Sequence, residues 1–230
     1  AVSESLRKDT HNHFATKKEV HVIPNFIDTE EELSPINMEN RRMYAKDEEK
    51  IISHTSNFRK VKRTNDVIKV FHKILDKTPA KLLLAGDGPE RSAAEHLTRE
   101  LDICDQVIFL GKVRNTKSVL GISDLFLLPS ETESFGLAAL EAMAQGVPVI
   151  SSNTGGIPEV NIHNDSGYLS YVGDIEDMAK NAVQLLNDEK LLAQFKKQAY
   201  IRAKDFSIVK ILPMYEDLYN QVIEKNKVPT

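Results

Sequence analysis

The chain has 230 residues, 41% hydrophobic and 28% charged, with a formal net charge of −4. That balance excludes disorder throughout, and the charge excludes a whole-chain basic field that would gather nucleic acid. The length suits one large domain or one and a half small ones.

In chain order, Ser3 to Phe14 is a polar, helix-compatible stretch with too few apolar anchors to be a stable helix by itself. Glu19-Val-His-Val-Ile-Pro24 reads as a short strand stopped by its proline. Thr29 to Asp47 lacks periodicity and reads as a loop with at most a helical turn. A rhythm starts at Lys50. Ile51–Thr55 reads as a strand, and Thr64 to Lys77 as a helix with Val67, Phe71, Ile74 and Leu75 on one face and Thr64 as its N-cap. Lys81–Gly86 is an apolar strand, followed by a helix that Pro89 opens and that runs to Leu101. Val107–Gly111 is a strand, Asn115–Ile122 a short helix, Leu125–Pro129 a strand, and Leu137–Gln145 a helix that Gly146 stops. Val147–Ile150 and Gly167–Ser170 complete the strands. The tail is helical, with one apolar stripe through Ile175, Met178, Ala179 and Ala182. A second runs through Ile208, Ile211, Leu212, Tyr215, Leu218, Tyr219 and Val222 and needs a surface to pack on.

Continuous apolar strands alternating with amphipathic helices predict an α/β fold: a doubly wound, Rossmann-like parallel sheet covered on both faces. Its ligands bind beyond the carboxyl ends of the strands, so chemistry is sought in the loops after Thr55, Gly86, Gly111 and Pro129.

Glu133-Ser-Phe-Gly-Leu-Ala-Ala-Leu-Glu141 follows a strand and opens a helix. The amides of Phe135, Gly136 and Leu137 would lie free at the helix start, an anion site suited to phosphate. Glu133 could accept hydrogen bonds from sugar hydroxyls and Glu141 from a ribose diol; the bland alternatives are a carboxylate favouring the helix dipole and a solvated face residue. Ser56-Asn57-Phe58-Arg59-Lys60-Val61-Lys62-Arg63 sets four cations in five positions at a strand end. A diphosphate leaving group needs such charge, though basic loops before helices are common. Gly86-Asp87-Gly88-Pro89 is a tight turn but not the dinucleotide fingerprint, because Arg91 stands at the third glycine position. That speaks against a nicotinamide dehydrogenase. Gly155-Gly156-Ile157-Pro158-Glu159 is either a plain turn or a loop that closes on ligand. The seven histidines show no metal spacing and there is no Asp-x-Asp pair, so no metal and no cofactor are expected. His54 reads as a satisfied core or loop histidine. The single cysteine, Cys104, excludes an internal disulfide and reads as inert core, which suits a cytoplasmic protein. No run approaches the roughly 18 apolar residues of a membrane span. The amino terminus has no signal-peptide pattern and no initiating Met, which fits a fragment, a processed form or part of something longer.

These residues carry a resemblance. Glu133 and Glu141, eight positions apart, resemble the paired glutamates of retaining glycosyltransferase family 4, whose architecture is GT-B. The runs Pro129–Ile150, Leu84–Glu90 and Thr154–Glu159 extend the likeness, which covers nearly the whole chain from Pro24 onward. It implies that a nucleotide-sugar donor binds here, with Glu141 on the ribose, Glu133 on the transferred sugar and Ser134, Phe135, Gly136 and Leu137 beside phosphate and sugar. It also implies Lys62 on the diphosphate, with Leu110 and Val113 along the base and Gly86 beside the donor. Where the family has Gly-Arg, this chain has Ser56-Asn57, so either Arg59 substitutes or Asn57 meets the phosphate with less charge. The runs Pro24–Asp28 and Ser56–Arg63 are similar to the branch that moves N-acetylglucosamine from UDP-N-acetylglucosamine to L-malate in bacillithiol biosynthesis.

On that resemblance residues 1–14 are the last piece of an N-terminal domain that binds the small-molecule acceptor, 15–205 the donor-binding domain, and 206–230 a helix packing back on the first domain. Taken alone, the chain would bind donor weakly and transfer nothing. Two further readings share the nucleotide site: a UDP-sugar epimerase and a non-catalytic nucleotide-sugar-binding subunit. A homo-oligomer stays open.

Overall fold

The computed structural model describes residues 1–28 and 37–225. Its frame is one sheet of six parallel strands: β1 (Lys50–Ser56), β2 (Ala80–Gly86), β3 (Val107–Gly111), β4 (Leu125–Leu128), β5 (Val149–Ser152) and β6 (Gly167–Ser170). They lie in the order β3-β2-β1-β4-β5-β6, so the chain reverses direction across the sheet between β1 and β4. This is the doubly wound, Rossmann-like arrangement that the apolar runs predict.

Burial on both faces explains why those runs do not alternate. In β1, Ile52 packs with Val67 and Phe71 of helix α3 (Thr64–Leu75) and Met178 of α8 (Ile175–Asn187). Its neighbour Ile51 faces the opposite way, toward Leu83, Val119 and Ile122. On that second face α6 (Leu137–Ala144) and α9 (Glu189–Ala203) close over Phe126 and Leu128. Phe71 and Phe126 are fully buried, and each such side chain contributes about 1.5–3 kcal/mol of burial free energy. The remaining helices are α1 (Glu4–Phe14), α2 (Met38–Arg42), α4 (Arg91–Glu100), α5 (Lys117–Leu120), α7 (Ile157–Val160) and α10 (Ile208–Lys225). No described helix is long and apolar enough to cross a membrane.

Several local readings are corrected. Glu19–Pro24 is not a strand; the only bridge there is an isolated one between Ile27 and Ser207. Ser3–Phe14 holds the helix it was compatible with; the helix buries none of its residues, and its own N-cap, Ser3, is joined by a carboxylate from elsewhere in the fold. Ser3 Oγ accepts from Leu6 N at 3.0 Å, and the Glu159 carboxylate accepts from Glu4 N and Ser5 N at 2.8 and 2.9 Å. Thr64 is the first helical residue of α3 rather than its cap; Arg63 caps in the left-handed region at φ 51°. Cys104 is exposed, not core.

The stretch read as a loop, Thr29 to Asp47, falls partly outside the described residues. Its described part contains α2, whose Arg41 is buried and donates to Ile122 O, Glu49 O and Asp124 Oδ2 at 2.7–2.8 Å. Lys196 takes the other Asp124 oxygen at 3.0 Å. Burial alone would raise the Asp124 pKa, but Lys196 and Arg41 outweigh it and hold the carboxyl below its ordinary value.

Candidate active site

β1 and β4 pair only through Ile52–Leu125 and Ser53–Phe126. Beyond those pairs the strands' carboxyl ends lead into separate loops, and the crevice of a doubly wound sheet opens at this reversal of strand order.

The loop leaving β1 is held in a particular path. Phe58 sits at φ 39°, fully buried, with its ring stacked 6.3 Å from that of His54. The turn after β2 clamps the loop from the side. A Cβ on Gly86, at φ 131°, would lie 1.7 Å from Ser56 O, and one on Gly88 would lie 2.0 Å from Asn57 O. Only glycine fits either position.

The basic cluster of this loop is divided. Lys62 crosses the crevice to the loop after β4, where its Nζ lies 2.5 Å from Glu133 Oε1. Ser130 Oγ donates to the same oxygen at 3.0 Å. The two side chains are 21% and 13% exposed, so the pair is sheltered but reachable. Arg63 turns away to Asp66. Asn57 and Arg59 are exposed, and Arg59 has no ion-pair partner among the described residues.

Glu133 is followed by the start of α6. Gly136 caps it at φ 98°, and the N–H groups of Phe135, Gly136 and Leu137 meet no protein acceptor among the described residues. Phe135 is buried edge-on to Phe206 at 5.5 Å, which anchors the turn, while Leu137 is exposed. Ser134 O accepts from Ser3 Oγ at 2.6 Å. The Gly155–Gly156 turn supports this backbone from behind. Gly156 N donates to Glu133 O at 2.9 Å, and a Cβ on Gly155 or Gly156 would lie 2.0 Å from Glu133 O or 2.4 Å from Ser134 O.

Beside the β1 loop lies a cavity of about 370 Å³, lined by Asn57, Gly86, Lys112, Val113 and Thr116 among others. Thr116 lies beside Glu141 of α6, whose burial raises its pKa while the Thr116 hydroxyl counteracts the rise. Leu110 packs instead with the apolar cluster around Ile51 and Leu83. Two larger hollows, of about 540 Å³ along residues 42–49 and 510 Å³ beside His163 and Tyr171, lie away from these groups. Residue chemistry, rather than size, selects the site. Among the described residues no cluster of three or more His, Cys, Asp or Glu is placed to hold a metal ion.

The structure thus joins Lys62 to Glu133 and gathers Asn57, Gly86 and Val113 around one cavity that reaches Glu141 through Thr116. It leaves Arg59 in solvent and Leu110 in packing. Ser130 and Thr116 are additions that sequence reasoning missed. Ser130 was signalled only by its place after Pro129 at a strand end, and Thr116 by nothing local.

Charge and free amides converge at the switch point of this parallel sheet, and the chain belongs to the group 1 glycosyl transferases, whose family model matches residues 37–202. It is 45% identical over 229 residues to the N-acetyl-alpha-D-glucosaminyl L-malate synthase of Bacillus anthracis, covering 99% of this chain and 60% of that protein. It is 32% identical to an uncharacterised glycosyltransferase of Methanocaldococcus jannaschii, covering 86% of this chain and 54% of that one. The chain therefore spans little more than half the length of these relatives. Among solved structures, Staphylococcus aureus TarM, crystallised with UDP and alpha-GlcNAc-glycerol, superposes with a TM-score of 0.82 at 25% identity, over 95% of this chain and 43% of TarM. The sheet and its helices are those of GT-B glycosyltransferases.

Proposed function

We propose that this chain is the donor-binding part of a retaining, metal-independent transferase that moves N-acetylglucosamine from UDP-N-acetylglucosamine to L-malate. The observation that carries this reading is the contact of Lys62 with Glu133 beside the open amides at the start of α6. The 45% identity to an N-acetyl-alpha-D-glucosaminyl L-malate synthase supports this choice of sugar and acceptor, and favours transfer over epimerisation. The UDP of the TarM complex agrees with the base.

In this reading the uracil lies in the cavity by Val113, the ribose diol on Glu141, and the diphosphate between Lys62 and the amides of Phe135, Gly136 and Leu137. As the anomeric C–O bond breaks, negative charge grows on the departing diphosphate. Lys62 and the amides are already aimed at it and need no reorganisation. Glu133, relieved of Lys62, accepts from the sugar hydroxyls. Arg59, unpaired in solvent, or Asn57 on the cavity wall adds the second phosphate contact. Acceptor binding belongs to an N-terminal domain, with residues 1–14 as its last piece, and the exposed Cys104 thiol suits a reducing cytoplasm.

Calorimetry of the 230-residue chain against UDP, UDP-N-acetylglucosamine, GDP-sugars and ADP-sugars tests the donor assignment. Uridine ligands should bind and the others should not. Lys62→Ala should slow transfer about 10²-fold in a polypeptide that also carries the acceptor domain. A chain indifferent to UDP, or an unchanged rate, would sink the reading.

A further inference from the structure

His54 is a fully buried imidazole at the carboxyl end of β1, and nothing in the proposed chemistry uses it. Its two nitrogens have different partners. Nδ1 lies 2.9 Å from Leu127 O, in β4. Nε2 lies 2.9 Å from Ser56 Oγ, which also accepts from Phe58 N at 3.2 Å. A carbonyl oxygen can only accept, so Nδ1 carries the proton. In the neutral ring Nε2 is then an acceptor, and the Ser56 hydroxyl must donate to it. The chain of bonds has one direction: Phe58 N–H to Ser56 Oγ, Ser56 O–H to His54 Nε2, His54 Nδ1–H to Leu127 O.

The location gives this chain a consequence. The last β1–β4 pair is Ser53–Phe126, and one residue further His54 spans to Leu127 with its side chain. Its ring is held between Phe126, 6.2 Å away at 17°, and Phe58, 6.3 Å away at 25°. Phe58 is the left-handed residue from which the loop climbs to Lys62. Leu127 continues through Ser130 to Glu133. The two sides of the crevice are thus spaced by one imidazole.

We infer that His54 is a positioning residue of the donor site, which fixes the β1 loop against β4 and so sets Lys62 opposite Glu133. This inference rests on the donor-site reading above. It requires the Nδ1–H tautomer and above all the bond to the loop, because packing against Phe126 of β4 also holds the ring on the strand side, and each bond can be removed separately. His54→Asn can keep a donor near Nδ1 but loses the reach to Ser56. His54→Gln can keep an acceptor near Nε2 but loses the bond to Leu127. Ser56→Ala leaves the core untouched and unpairs the loop.

The test is UDP calorimetry on the 230-residue chain, with nitrogen NMR of His54. The stoichiometry reports the folded fraction and the dissociation constant reports the site, so a purely structural role would lower the first and spare the second. The expected result is an Nδ1–H neutral ring, with UDP binding weakened about tenfold in His54→Asn and Ser56→Ala and less than about threefold in His54→Gln, since one charge-assisted contact is misplaced. An Nε2–H tautomer would overturn the inference. So would wild-type affinity in both His54→Asn and Ser56→Ala, or equal losses in the two His54 variants. Lys62→Ala is the control: if it binds UDP as tightly as wild type, the donor-site reading itself fails, whereas weak binding by Lys62→Ala beside wild-type binding by His54→Asn and Ser56→Ala removes His54 alone.

Discussion

His54 also sets a pH dependence of stability. Burial pushes its pKa from 6.5 to about 4, with the Leu127 carbonyl opposing the shift and Lys62 adding to it. A histidine whose folded pKa lies below its unfolded one stabilises the fold fully above the unfolded value. Between 6.5 and 4 the unfolded chain takes up a proton that the folded chain refuses, so stability falls as pH falls through that window. The shift corresponds to roughly 3 kcal/mol at about 1.4 kcal/mol per unit. Urea unfolding of wild type and His54→Gln at pH 7 and pH 4.5 checks this. Wild type should lose most of that amount beyond whatever the variant loses; parallel pH profiles would remove His54 as the source.

Among elements, the tightest coupling is between the Gly155–Gly156 turn and the segment Glu133–Phe135. Gly155 at φ 55° is already costly for any other residue, and its absent Cβ would meet the backbone carbonyl of Glu133 at 2.0 Å. A backbone atom cannot swing aside as a side chain can, so Gly155→Ala must displace the loop segment that presents Glu133. The expected cost is about 1–3 kcal/mol of stability, with a loss of UDP affinity beyond what the folded fraction explains. Chemical unfolding with calorimetry would show it, and a variant with wild-type affinity would mean that the turn only fills space. This coupling marks how far the sequence was legible. The strands and most helices follow from local runs, since Leu82–Leu84 or Leu125–Leu128 can only be buried. The free amides at Phe135–Leu137 follow from a glycine at a helix start. The Lys62–Glu133 contact spans 71 residues and the Arg41–Asp124 pair 83; such pairs depend on which strands become neighbours. Helix α1 was legible as helix-compatible, but its distant support, the Glu159 carboxylate on Glu4 N and Ser5 N, was not. His54 was legible as a satisfied core or loop histidine, but its partners are a distant carbonyl and a hydroxyl without a pattern. Glu19–Pro24 shows the converse error: β propensity without a neighbouring strand makes no strand.

At the scale of the whole molecule, α10 presents an unfinished surface. Of its predicted stripe, Ile211 is buried at 6% exposure, whereas Leu212, Tyr219 and Val222 stand at 39%, 61% and 49%. Tyr215 reaches Ile23 O and packs edge-on to Phe26, tying the first turns of the helix to residues 23–26. Beyond it the helix continues to Lys225 with no buried residue. We propose that the acceptor domain covers this part, consistent with a chain that spans 60% of its Bacillus relative. Because an exposed side chain has little burial to lose, Leu212→Ser, Tyr219→Ser and Val222→Ser together should change the unfolding free energy of the 230-residue chain by about 0.5 kcal/mol per site or less. Ile211→Ala should cost roughly 2–4 kcal/mol through lost burial and a residual cavity. In a polypeptide carrying the acceptor domain the triple variant should become destabilising and reduce transfer while leaving UDP affinity intact. Denaturant unfolding of both forms measures the contrast, and a triple variant equally silent in the two would show that the domain packs elsewhere.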